Sequence, residues 1–140
     1  MMITESNTKP LPEEIRERIM PRVHRHAKLS PPWVTEIIVA WSHDVNLLEC
    51  ASNKDYLYQL IEVGKGCYAA TDKELELGII HEIVHAYTTP LATLARDLME
   101  DMDLGEAHKK TAERSITQCL EMSTEALAQK FMALEGQSDV

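Results

Sequence analysis

With 140 residues, of which 44% are hydrophobic, the chain has the length for one domain around one core. Its net charge of -9 and the lack of any long Lys/Arg run argue against nucleic acid as a partner. No basic-then-apolar leader opens it and no apolar stretch is long enough to span a bilayer, so a soluble, cytoplasmic protein without membrane contact is expected.

Residues 1–10 are polar and are expected to be flexible. Leu11 to Met20 reads as a first helix, with Pro12 in its first turn, acids at Glu13 and Glu14, and Ile15 and Ile19 at i, i+4. Pro21 should interrupt it, with a further turn to about Lys28, and Ser30-Pro31-Pro32 should stop helix outright. The basic residues Arg16, Arg18, Arg22, Arg25 and Lys28 are read as a solvated face, with His24 and His26 on the surface. Val34 to Trp41 is β-branched and apolar and reads as a strand, with Trp33 and Trp41 expected in the core. Asn46 to Ser52 is a weaker strand, Asn53-Lys54-Asp55 a turn, and Tyr56 to Val63 a third strand ended by Gly64-Lys65-Gly66. Cys67 to Ala70 reads as its continuation or as a short edge strand.

Thr71-Asp72-Lys73-Glu74 has the spacing of a capping box and predicts the start of a helix. That helix should run through residues 78–87 until Pro90 disturbs it. Leu91 to Met102 is a further helical piece, and the acid-rich link ending in Asp103-Leu104-Gly105 is a break. The last helix is expected from about Glu106 to Leu134, with Ala112, Ile116, Leu120, Leu127 and Phe131 at helical spacing and Gly136 ending it. The sum is an α+β domain in which three or four strands pack against the middle helix, followed by a long C-terminal helix. Residues 136–140 are expected to be flexible.

The chemistry centres on His81-Glu82-Ile83-Val84-His85. On a helix, i and i+4 share one face, so both imidazoles can reach one metal ion while Glu82 reaches a water beside it. Two histidines, a third protein ligand and an open position make a catalytic zinc site. Cys50, Cys67 and Cys119 are odd in number and widely spaced, so free thiols are expected and the metal falls to His and carboxylate. Leu91 stands where an extended motif would carry a third His, which leaves His108, Glu113, Glu121 and Glu125 downstream as candidates. Glu113 and Glu121 differ by about 80° around the helix, so only one of them can point straight at the metal.

The run from His81 to His85, then Pro90-Leu91, an acidic link and Glu113-x-x-Ile116-x-x-x-Leu120, resembles the minimal gluzincin-type metallopeptidases, many of them phage or prophage proteins. The Trp33-Val34 strand entry is similar too, and the resemblance covers about residues 30 to 130. It implies a zincin-like fold, a Zn2+ cofactor and a peptide or protein substrate. It also implies Glu113 as the ligand that joins His81 and His85. One departure favours Glu121: larger gluzincins often carry, four residues after the ligand Glu, an acid that orients a histidine. Glu113 has Thr117 there, whereas Glu121 has Glu125.

The function expected is a zinc-dependent hydrolase, with zinc-activated water attacking a peptide or amide carbonyl and Glu82 as general base. His108, Tyr56, Tyr58 or Tyr68 would supply a second electrophile, Tyr87 points into the core, and substrate would lie along Gly66 to Ala70. Gly78 either leaves room beneath the metal or allows close helix packing. The alternatives are a catalytically silent zincin-fold binding or regulatory module with a structural zinc, and a metal-free helical interaction protein.

Overall fold

The computed structural model describes residues 1–52 and 55–138. The expected turn at Asn53-Lys54 and the last two residues lie outside them. A mixed four-stranded sheet is built from β1 (Met2–Glu5), β2 (Glu36–Trp41), β3 (Leu48–Ser52) and β4 (Tyr58–Val63). The helices are α1 (Glu13–His26), α2 (Asp72–Asp101) and α3 (Glu106–Ser138), with short 3-10 turns at Ala27–Leu29 and Lys65–Tyr68. The strand order is β1-β2-β4-β3, with β1, β2 and β4 parallel and β3 antiparallel to β4 at the edge. The class is therefore α+β, and among the described residues no helix is long and apolar enough to cross a membrane.

The alternation of the strands decides which face is covered. Ile37 and Val39 of β2 lie beside Gln59 and Ile61 of β4, and with Val63 they are fully buried. On that face they meet Ile15, Ile19 and Val23 of α1 and Leu75, Ile79 and Ile83 of α2 in one core. Glu36 and Tyr58, which alternate with them, are on the other face.

Pro21 does not interrupt α1. A mid-helix proline costs about 3 kcal/mol, whereas burying each of Ile15, Ile19 and Val23 contributes about 1.5–3 kcal/mol, so packing wins. Pro21 and Glu17, whose carbonyl loses its partner, are both exposed, so water can take the bond. Pro90 likewise stays inside a continuous α2, flanked by Ala86 and Ala92, both buried. Gly136 does not end α3, which runs to Ser138.

The N-terminus is a correction: residues 2–5 are a strand pairing with Glu36 to Val39. Glu5 is tied to α1 by Arg16 at 2.6 Å and by the Leu11 amide. Arg16 holds the Glu5 carboxyl below its usual range. Cys67 to Ala70 is not a strand. Gly64 N–H donates to Leu47 O and Gly66 N–H to Asn46 O, and the backbones come so close that a Cβ on Gly64 would lie 1.9 Å from Val45 O. The chain turns there instead of extending.

The arginines of α1 are not a free solvated face. Arg22 pairs with Asp72 at 3.1 Å and with Glu76 at 2.8 Å, and Arg25 also reaches Glu76. His26, expected on the surface, is buried between Glu76 of α2 and Glu135 of α3. His24 and His43 are exposed. Trp33 is 43% exposed, its ring edge against Tyr87, so it is not a core residue.

Candidate metal centre

The capping box that opens α2 is complete, with Glu74 N–H donating to Thr71 Oγ1 and Thr71 N–H to the Glu74 carboxylate. Two turns on, Ile79, Ile80, Ile83, Val84 and Ala86 are buried and fix the orientation of the motif. Gln59 of β4, itself fully buried, donates its amide N–H to the carbonyls of Glu82 and Ile83. The motif turn is thereby pinned to the sheet. Gly78 serves close packing: a Cβ there would lie 2.8 Å from Leu48 Cδ1.

Among the described residues, the carboxylate that α3 brings beside both imidazoles is that of Glu121. His81 Nε2 lies 3.3 Å from Glu121 Oε2, and His85 Nε2 lies 3.4 Å from Glu121 Oε1. The outward ring nitrogens are also engaged. His81 Nδ1 lies 2.7 Å from Glu125 Oε2, and His85 Nδ1 lies 3.4 Å from Thr124 Oγ1. The Thr124 hydroxyl donates to Leu120 O at 2.7 Å, so its oxygen is left to accept from His85 Nδ1–H. A carboxylate can only accept, so His81 Nδ1 carries its proton too. In the neutral rings both Nε2 lone pairs then face the Glu121 carboxylate. A bound cation satisfies that arrangement, as does a proton on each Nε2. The ligand atoms of His81, His85 and Glu121 lie within 4.8 Å of one another, near enough to share one ion, and Glu125 and Thr124 supply the outer partners that such imidazoles require. The donor set fits zinc.

Glu113 is not part of this group. Its carboxylate pairs with Arg96 Nε at 2.8 Å, and it sits two turns before Glu121, about 12 Å along the axis. The structure thus brings Glu121 and Glu125, rather than Glu113, beside His81. His108 is exposed at the start of α3, farther still.

The site opens into a cavity of about 450 Å³ that is lined by Glu82, His85 and Glu121, by Leu48, Glu49 and Cys50 of β3, and by Thr89 and Leu120. None of His108, Tyr56, Tyr58 and Tyr68 lines it. A larger groove of about 750 Å³ lies between α2 and α3, with Glu121 at one end and Lys109, Lys110 and Arg114 along it. It holds no histidine.

Glu82 is 8% exposed, and burial pushes its carboxyl up to about 7, against the pull of His81 and a hydrogen bond with Cys50; Glu121 and Glu49 push it further up. Burial also pushes His85 below the usual imidazole range, which favours the neutral, ligating form. Glu125 is held low, first by Gln129 and then by His81. A carboxyl with a raised folded pKa binds its proton more tightly when folded, so stability falls as pH rises from about 4.5 to about 7. In chelator-treated protein this should cost about 3 kcal/mol across that window. Urea denaturation at both ends of the window should give wild type a drop that Glu82→Gln lacks; equal drops would mean that Glu82 titrates normally.

Comparison of the chain with protein-family models, with curated proteins and with solved structures finds no match.

Proposed function

We propose that this chain is a zinc-dependent, metallopeptidase-like hydrolase with a zincin-like fold, of the gluzincin type its motif resembles. The observation that carries the reading is the convergence of three side chains able to ligate a metal, His81, His85 and Glu121, beside the buried Glu82 carboxylate and an open cavity. Zinc bound by those three residues supplies Lewis-acid activation of a water and of a substrate carbonyl. Glu82 accepts the water's proton on a carboxylate oxygen and returns it to the leaving amine. Burial keeps that carboxylate basic enough for the transfer at neutral pH. Gln59 holds the turn that carries it, and Glu125 and Thr124 hold the imidazoles.

Substrate lies along β3 rather than along residues 66–70. Among the described residues no strand pairs with the outer edge of β3, and Leu48, Glu49 and Cys50 of that strand line the cavity. An extended peptide added to this edge passes its carbonyls over the site, with main-chain hydrogen bonds giving affinity. Zinc-loaded protein is expected to cleave some members of a panel of denatured proteins and short peptides, to lose this with a chelator and to regain it with zinc. No cleavage across the panel with zinc bound would favour a silent binding or regulatory module.

A further inference from the structure

We propose a second, thiophilic metal position in the same cavity, formed by Cys50, Glu82 and His85. The ligand atoms of these three residues lie within 4.8 Å of one another, a second donor group beside the one formed by His81, His85 and Glu121. Cys50 stands on the helix-facing side of β3, opposite Ile61, and lines the cavity with Glu82 and His85. Its thiol has Glu82 as hydrogen-bond partner. A thiolate, a carboxylate and an imidazole make a softer donor set than two imidazoles and a carboxylate. It should take Cd2+ where the first set takes zinc. Binding forms a sulfur–metal bond and releases the thiol proton to solvent, with no change of oxidation state.

The two positions exclude each other. His85 Nδ1 faces Thr124, so only Nε2 is free for a metal, and one lone pair serves one ion. Glu82, once its carboxylate is bound to a cation, is a much weaker base. A thiophilic cation in this position therefore switches the cavity off. That consequence rests on the hydrolase reading; the position itself does not.

Cadmium titration, followed by the ultraviolet thiolate-to-metal charge-transfer band, tests it without any activity assay. Wild type should show the band. Cys50→Ser and Cys50→Ala should lose it, and His85→Asn should weaken cadmium binding by at least about tenfold. His81→Ala and Glu121→Gln, which dismantle only the first set, should keep it, as should Cys119→Ser, which removes the exposed thiol. Three results would overturn the proposal: no band in wild type with cadmium in excess, a band that survives both Cys50 variants, or a band lost with His81→Ala and Glu121→Gln. The last would make Cys50 a fourth ligand of the first set. A protein that shows the expected bands yet cleaves nothing would sink the hydrolase reading and leave this position standing.

Discussion

Glu82→Gln is expected to lower kcat by about 10²–10⁴-fold while zinc content stays at one per chain. The carboxamide keeps the volume of the buried side chain and can still meet Cys50, so the packing around Ile79 and Ile83 is preserved. It removes only the capacity to accept a proton. The backbone of the same turn is held by Gln59 whatever side chain residue 82 carries. Neither His81 nor His85 depends on Glu82 for its outer hydrogen bond, since those go to Glu125 and Thr124. Turnover of the best peptide from the panel, measured beside zinc by mass spectrometry, separates the roles. Activity retained in a clean preparation would remove Glu82 as the base. Zinc lost together with activity would make it a ligand instead.

What could be read in the chain and what could not divides by distance. The start of α2 was written in four adjacent residues, Thr71 to Glu74, and both halves of that capping box form. The buried faces of α1 and of α2 follow from i, i+4 spacing, as Ile15 with Ile19 and Ile79 with Ile83 illustrate. β1 was not legible because four residues show no usable period, and its partner strand begins at Glu36. The prolines at 21 and 90 argue for breaks locally, and tertiary packing overrides them. His26 looked like a surface residue because the acids that enclose it, Glu76 and Glu135, belong to two other helices. Cys50 and Gln59 carried no motif at all; β-strand alternation, once the register of β3 on β4 is known, is what turns both towards α2.

Glu121→Ala should lower zinc affinity by more than the 10–100-fold that loss of an outer-shell partner typically costs, whereas Glu113→Ala should leave it unchanged. The pattern Glu-x-x-Ile-x-x-x-Leu fits at Glu113, Ile116 and Leu120, but Ile116 and Leu120 are spaced like any helix face that packs on a neighbour. The pattern therefore cannot say which turn of α3 lies opposite His81. The acid pair at i, i+4 can: a ligand carboxylate and a carboxylate that orients a ligand histidine must both face α2, as Glu121 and Glu125 do beside His81. Glu113 has Thr117 in the corresponding place, and Arg96 binds both. Glu125→Gln should fall between the two, at about 10–100-fold, because His81 keeps its Nε2 but loses a charged anchor on Nδ1. Competition against a chromophoric chelator orders all three variants. Zinc lost with Glu113→Ala and kept with Glu121→Ala would return the third ligand to the position the family pattern favours, and would mean that α3 slides by two turns along α2 when metal binds.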